Sequence, residues 1–363
     1  MISSRELQTL CGALLVAGFP GPELDADVVR ALASGHRAGV ILFRRNVQSV
    51  EAVHVLCAEI LQVSPNEPGP FIAVDQEGGR VMRLGAPAVQ LPPMRVLGDI
   101  ADPALARRAG AAVGAELRAI GFNLDFAPVL DVDSNPDNPV IGDRSFSRDP
   151  KKVGTLGAAF AEGLESAGVL ACGKHFPGHG DTDRDSHLDL PIVRQSRERL
   201  EAVELVPFRR AMKSVGSLMT AHVVYEVLDA GVPATCSRAI VTDLLRREIG
   251  YEGLVFSYDL EMRALADRAT IEESSVAAIR AGCDVLLVCK DFAIAERAHA
   301  ALVRECEEDG DFRARCVEAR ERSVAARRKF PARPAPSAAA LTQALEASDG
   351  AAVLAEIARR TAS

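Results

Sequence analysis

Eight short apolar runs, mostly separated by helix-length amphipathic segments, constrain the fold of this 363-residue chain more than any other feature. They occupy residues 13–16, 39–43, 71–74, 122–126, 168–172, 217–221, 253–257 and 285–288. Continuously apolar strands that alternate with helices are typical of a parallel sheet covered on both faces. The pattern therefore predicts a single-domain α/β protein with a (β/α)8 TIM-type barrel, and a doubly wound open sheet is the alternative.

Polar side chains lie just beyond most of these runs. They are Arg44, Arg45, Asp75, Asp131, Lys174, His175, His222, Tyr258, Asp259 and Lys290. In a barrel the carboxyl ends of all strands meet at one mouth, so these side chains would converge on one site. A sheet that serves no function beyond the fold would not need polar residues at the ends of so many strands. Their number therefore favours the barrel.

Composition excludes several classes of partner. The formal net charge of −8 argues against nucleic acid, whose phosphates require a basic face. The eight cysteines include no CxxC pair and several lie in apolar runs, which favours buried reduced thiols over a disulfide framework. No apolar stretch is long enough to span a bilayer, and the run at residues 10–19 lacks the basic region of a signal peptide. We therefore expect a cytoplasmic protein with no membrane span.

The chain divides into two parts by composition. Residues 1–330 contain all eight runs and are predicted to form the barrel. Residues 331–363 begin with a Pro/Ala-rich stretch that ends at Ser337 and indicates a linker, followed by one peripheral helix.

The segment KHFPGHGDTDRDSH, residues 174–187, is the strongest candidate for chemistry. Asp185 and His187 are two residues apart, so their side chains share one side of an extended loop. A carboxylate beside an imidazole fixes its tautomer and raises its basicity, which suits a general acid/base. A zinc site built from His175, His179, Asp185 and His187 is an alternative, as is a polar surface loop without chemistry.

Three further strand exits carry candidate residues with structural alternatives. Asp75, followed by glycines and Arg83, is suited to holding hydroxyl groups, or it caps the next helix or turn. In the irregular loop at residues 139–146, Arg144 binds an oxygen-rich substrate or pairs with Asp143 or Asp149. The last exit, at residues 256–262, offers Tyr258 and Asp259, or simply marks an acidic helix start.

Taken together, these segments resemble the family 3 glycoside hydrolases, in particular the single-domain bacterial β-N-acetylglucosaminidases of cell-wall recycling. The resemblance covers roughly residues 10–289. It rests on KHFPGHG followed by DSH, and on DQEGGRV, APVLDV, IGDRSF, MTAHV and AGCDVLLVC in the expected order. It implies a (β/α)8 barrel that removes terminal N-acetylglucosamine from peptidoglycan-derived sugars with retention, without a cofactor.

The resemblance also implies roles for particular residues. His187 would be the general acid/base and Asp185 its orienting partner. The residues that would hold the sugar are Asp75, Arg83, Arg144, Lys174 and His175. A His-Asp dyad would thus replace one of the two carboxylates that glycosidases usually employ.

The chain departs from the family pattern on the seventh strand. The family motif reads Ser-Asp-Asp or Thr-Asp, with the first Asp as nucleophile, whereas here Tyr258 follows Ser257. The chain could bind sugar and turn it over poorly, Tyr258 could attack with the help of a base, or Asp259 could substitute. Adjacent strand residues point to opposite faces, so Asp259 would face the site only if the strand end is distorted. A sugar-binding or regulatory protein and a family-related phosphorylase remain alternatives.

Overall fold

A computed structural model describes residues 3–64, 67–182 and 190–362 of the chain. Asp185 and His187, the predicted acid/base pair, lie outside the described residues.

Eight parallel strands form a closed barrel, in which each strand pairs with its neighbours in sequence and the last pairs with the first. They are β1 (Leu15–Ala17), β2 (Gly39–Ile41), β3 (Phe71–Val74), β4 (Leu124–Asp125), β5 (Leu170–Phe176), β6 (Ser217–Thr220), β7 (Leu254–Asp259) and β8 (Val285–Val288). The predicted (β/α)8 barrel is confirmed, and the open sheet is excluded because β1 pairs with β8.

Helices surround the barrel. The α-helices of the described residues are α1 (Ser4–Gly12), α2 (Ala26–Ala33), α3 (Val50–Gln62), α4 (Met94–Ile100), α5 (Pro103–Ile120), α6 (Pro150–Ser166), α7 (Arg197–Ala202), α8 (Val206–Ala211), α9 (Arg263–Ala266), α10 (Ile271–Ala281), α11 (Phe292–Glu308), α12 (Gly310–Lys329), α13 (Ala338–Glu346) and α14 (Gly350–Thr361). A π-helix spans Ala239–Glu248, and 3-10 turns span Arg44–Asn46, Gly142–Arg144 and Ala234–Cys236. Within the described ranges, no helix has the length and hydropathy needed to cross a membrane.

Two small sheets lie outside the barrel. Gln76–Gly78 pairs antiparallel with Val81–Met82 directly after β3, and Ile192–Val193 pairs in parallel with Val224–Tyr225. The first sheet returns the chain to the barrel mouth, which brings Arg83 back to the end of β3.

The barrel interior is filled by apolar side chains. The rings of Phe126 and Phe256 meet edge to face with centroids 5.3 Å apart, and Phe71 packs against Phe256 at 5.8 Å. Phe330, at the carboxyl end of α12, belongs to the same buried cluster. Its carbonyl accepts a hydrogen bond from Asn123 in front of β4, so the end of α12 closes the amino-terminal end of the barrel.

Residues 331–337 contain no helix and are followed by α13 and α14, where the sequence predicts one helix. Between these two helices, Ser348 donates a hydrogen bond to the largely buried carboxylate of Glu116 on α5. Buried Leu341 and Val353 belong to the main core cluster, so both helices are anchored to the barrel domain.

Candidate active site

A cavity of about 190 Å³ lies at the carboxyl-terminal mouth of the barrel, where active sites of this architecture occur. Its polar lining residues come from the exits of β3, β5 and β7 and from the loop after β4. They are Asp75, Glu77, Arg83, Arg144, Lys174, Tyr258 and Asp259. The structure thus brings together six of the nine residues predicted from the sequence and adds Glu77.

Alternating charges connect the wall of this cavity. The ammonium of Lys174 lies 2.9 Å from Asp75 Oδ1 and 2.5 Å from Glu77 Oε1. Arg83 Nη2 donates to the other oxygen of Asp75 at 3.0 Å. Arg144 forms a bidentate pair with Glu77, with Nε and Nη2 at 2.9 and 2.8 Å from its two oxygens. These contacts fix the orientation of every charged group on the wall before any ligand binds.

The network keeps its acids ionised. Burial alone would raise the pKa of Glu77, but Arg144 and Lys174 hold it well below its usual range. Burial likewise opposes ionisation of Asp75, and Lys174 with Arg83 holds that pKa below its ordinary value. At neutral pH the wall therefore carries two carboxylates and three cations, which is suited to the hydroxyls and polar substituents of a sugar.

These contacts also give the structural partners of two residues whose roles the sequence left open. Arg144 pairs with neither Asp143 nor Asp149: Asp143 pairs with Arg80, and Asp149 caps α6. The carboxylate of Asp75 binds Lys174 and Arg83 and does not serve as a cap.

His175 lies one layer behind the cavity. Its ring is fully buried, its Nδ1 is 2.7 Å from Asp131 Oδ2, and its backbone N–H donates to Oδ1 of the same carboxylate. His175 is not among the residues that line the cavity; its ring centroid is 4.9 Å from that of Tyr258. In this arrangement the ring of His175 reaches the cavity through Tyr258, and a direct contact of His175 with a sugar stays a prediction.

The zinc alternative concerns the same segment. Nδ1 of His179 is hydrogen-bonded to the hydroxyl of Thr182 at 2.9 Å, and burial lowers the pKa of His179 to about 4. Two of the four suggested ligands lie outside the described residues. Among the residues that are described, no three His, Cys, Asp or Glu side chains converge in a way that could hold a metal.

The end of β7 is distorted by a bulge. Phe256 pairs with Val285 and Asp259 with Leu287, so three steps on β7 match two on β8. The bulge interrupts the alternation of side chains, and Tyr258 and Asp259 both line the cavity. Asp259 therefore lies at the mouth beside Tyr258, at a strand end that is distorted.

The two β7 residues have different environments. The ring of Tyr258 lies between those of His175 and His222, with centroids 4.9 and 5.3 Å away, and burial raises its pKa despite nearby Arg144. Asp259 Oδ1 accepts the backbone N–H groups of Glu261 and Cys289, each at 3.1 Å. Burial nonetheless raises the pKa of Asp259. At neutral pH the phenol is protonated.

Sequence reasoning did not assign three residues that organise the site. Glu77 lies in the segment already singled out for Asp75, and its acidic character next to two glycines was the available signal. Asp131 orients His175, and His222 Nε2 lies 2.9 Å from the carbonyl oxygen of Asp259. Both are polar residues at strand exits, so their positions but not their partners were visible in the sequence.

Comparisons with known proteins agree with this architecture. Residues 7–325 match the model of the glycosyl hydrolase family 3 N-terminal domain. A β-hexosaminidase of Pseudomonas aeruginosa is 41% identical over 294 residues, covering 80% of this chain and 86% of the relative. A family 3 β-N-acetylglucosaminidase from a Paenibacillus species superposes with a TM-score of 0.86 at 36% identity, covering 95% of this chain and 68% of the other.

A second solved structure shows a ligand. NagZ from Neisseria gonorrhoeae in complex with N-trifluoroacetyl-D-glucosamine superposes with a TM-score of 0.78 at 33% identity, covering 96% of this chain and 97% of the other. The likeness therefore extends over nearly the full length of both chains.

Proposed function

Because the chain belongs to glycosyl hydrolase family 3, we propose that it is a retaining β-N-acetylglucosaminidase whose turnover is limited by Tyr258. The proposed substrates are peptidoglycan-derived sugars that carry a terminal N-acetylglucosamine. Relatives named β-hexosaminidase and the glucosamine derivative bound to NagZ support this substrate class. The link to cell-wall recycling in the cytoplasm rests on the sequence resemblance.

The observation that carries the proposal is the charged wall of a sugar-sized cavity. Its volume of about 190 Å³ is below the roughly 300–1,000 Å³ typical of drug-sized ligands, so it suits one sugar ring. In the proposed complex, Asp75 accepts hydrogen bonds from sugar hydroxyls, while Arg83 and Lys174 donate to sugar oxygens. The fixed orientation of these groups lowers the entropic cost of binding.

Proton transfer is proposed for the pair Asp185 and His187. His187 would protonate the glycosidic oxygen as the bond breaks and later remove a proton from the attacking water. Asp185 would orient the imidazole and stabilise its charged form.

The attacking group is the weak point of the reaction. A protonated phenol is a poor nucleophile, and the raised pKa of Tyr258 keeps it protonated at neutral pH. Asp259 lies at the same cavity, but one of its oxygens already accepts two backbone hydrogen bonds. We therefore propose that the chain binds the sugar well and that Asp259 supports slow cleavage.

The decisive experiment compares Tyr258→Asp with Tyr258→Phe on an aryl N-acetylglucosaminide. Tyr258→Asp should raise kcat at least about a hundredfold, or roughly 2.7 kcal/mol of barrier, because it restores a carboxylate directly after Ser257. Tyr258→Phe, which keeps the ring and removes only the hydroxyl, should leave the slow rate unchanged. Asp259→Asn should abolish it.

Three other outcomes would contradict parts of this proposal. Loss of activity in Tyr258→Phe would identify the phenol as the nucleophile. A rate in the unaltered chain equal to that of Tyr258→Asp would remove the limiting role of Tyr258. A rate that requires phosphate in place of water would identify a phosphorylase.

A sugar-binding or regulatory protein is the second candidate, and the protonated Tyr258 directly after Ser257 favours it. If the chain is such a binding protein, calorimetry should detect binding of N-acetylglucosamine, while both the unaltered chain and Asp259→Asn should lack measurable turnover.

A further inference from the structure

A second and larger cavity, of about 740 Å³, lies between the π-helix Ala239–Glu248, α10 and α12. Asp284, which immediately precedes β8, lies beneath this cavity. The cavity is therefore at the amino-terminal end of the barrel, opposite the mouth. Six arginines line it: Arg238, Arg246, Arg247, Arg280, Arg315 and Arg322. The acidic lining residues are Asp311 and Glu318. Among the lining residues, six arginines thus face two acids, while Asp243, Asp284, Glu305 and Asp309 pair with five of these arginines from outside the lining.

Three of the guanidinium groups are held in place by one buried carboxylate. Arg246, Arg315 and Arg322 lie 2.5, 2.6 and 3.3 Å from the oxygens of Asp284, which is fully buried. A guanidinium has five N–H donors, so each retains donors after this contact. Burial lowers the pKa of Arg246. The positive charges of Arg322 and Arg315 lower it further, whereas Asp284 raises it. Glu318 also pairs with Arg315 and Arg322, at 3.3 and 2.6 Å, so two carboxylates hold these three cations in a fixed orientation.

The other three arginines differ in their pairing. Arg280 pairs with Glu305 and Asp309 and lies over the ring of Phe312, 5.0 Å from its centroid. Arg247 pairs with Asp243 on the exposed side of the π-helix. Arg238 makes no ion pair with any residue that the structure describes. The rim therefore includes a cation whose charge these residues leave uncompensated.

The backbone beside the cavity is unusual as well. The π-helix supplies Thr242, Arg246 and Arg247, and Arg238 is its N-cap. Helices of this kind are rare and frequently occur at functional sites. This is an observation independent of the charges, and it concerns the same residues.

We propose that this cavity binds a small molecule carrying two or more adjacent phosphoryl groups. Guanidinium groups match phosphate oxygens in bidentate geometry, and several such groups around one space favour a polyanion over a single charge. The volume lies in the range of cavities that hold small molecules.

The test is calorimetric titration of the full chain with inorganic pyrophosphate, and with orthophosphate as the singly phosphorylated comparison. The chain should bind one pyrophosphate saturably and more tightly than orthophosphate. The double variant Arg238→Gln/Arg247→Gln should raise the Kd at least about tenfold, because it removes two rim charges and no contact to Asp284. The matched control Arg30→Gln/Arg304→Gln removes two exposed arginines elsewhere and should bind as the unaltered chain does.

Two results would overturn the proposal. One is the absence of saturable pyrophosphate binding up to about ten millimolar. The other is an equal Kd in both double variants, which would place the anion elsewhere, for example at Arg83 and Arg144 in the mouth. If the double variant fails to fold, Arg238→Gln alone carries the test, and an unchanged Kd in that variant is again contradictory.

Discussion

Replacing Glu77 by Gln should destabilise the protein strongly, because Glu77 is the central carboxylate of the mouth. Its side chain is 2% exposed, and those of its partners Lys174 and Arg144 are 3% and 9% exposed. Solvent screening is therefore weak at this site. Glu77→Gln keeps the shape of the side chain, removes its charge and leaves two buried cations undercompensated.

The expected size of the effect follows from the burial of the pair. Removing one partner of a buried ion pair typically costs about 3–5 kcal/mol. Unfolding entropy near 60 °C is about 2.1 cal/mol/K per residue, which for 363 residues amounts to about 0.76 kcal/mol/K. Glu77→Gln should therefore lower Tm by about 4–7 °C at pH 7.

The pH dependence gives a second, independent check. The pKa of Glu77 is lowered in the folded state, so its stabilisation is present above the unfolded pKa of about 4.3 and is lost as pH falls towards the folded pKa. The difference in Tm between the unaltered chain and Glu77→Gln should be constant from pH 7 to about 5 and shrink below about 4.3.

Differential scanning calorimetry across this pH range measures both effects. Exposed Glu252 makes no ion pair with a described residue, so Glu252→Gln is a matched control that should change the stability by less than about 0.5 kcal/mol. A shift below about 1 °C for Glu77→Gln, or a shift independent of pH down to 3, would refute the reasoning.

Two further changes test buried and proton-transferring groups. Burial raises the pKa of Asp125 to about 8, and its Oδ2 has no partner among the described residues. A carboxyl group whose pKa is raised in the folded state destabilises the protein progressively between about pH 4 and pH 8. In thermal unfolding, Asp125→Asn should therefore leave stability unchanged near pH 4 and raise it by a few kcal/mol at pH 8. An equal effect at both pH values would contradict this. His187→Ala should reduce turnover of substrates with poor leaving groups more than that of activated aryl glycosides, and an equal loss on both would argue against a general acid.

The barrel was predictable because most of its strands are buried on both faces and are rich in apolar residues. The bounds of β3 and β8 coincide with the apolar runs at residues 71–74 and 285–288. Strands β5 and β7 extend beyond the apolar runs at residues 168–172 and 253–257. Polar residues at the mouth can continue a strand when their side chains have charged or hydrogen-bonding partners. Residues 197–211 form two short helices, α7 and α8, with Pro207 in the first turn of α8, where its missing N–H costs nothing.

The partners of charged residues were far less accessible to sequence reasoning. For Arg144 the sequence suggested Asp143 or Asp149, which are close along the chain. Its actual partner, Glu77, is 67 residues away and is brought near by the closure of the barrel. Pairing of this kind depends on the three-dimensional arrangement of strand ends, so residue type and spacing identify the members of such a network but not its contacts.

The bulge in β7 changes the argument about the nucleophile. Alternation along a regular strand would point Asp259 away from the mouth, and on that ground the sequence disfavoured it. With the bulge, Tyr258 and Asp259 share the cavity, so their chemistry decides between them. Burial keeps Tyr258 protonated, whereas two backbone N–H groups stabilise the ionised form of Asp259 against its own burial. Hydrogen bonds that stabilise a carboxylate also weaken it as a nucleophile, and slow cleavage through Asp259 is the behaviour that follows.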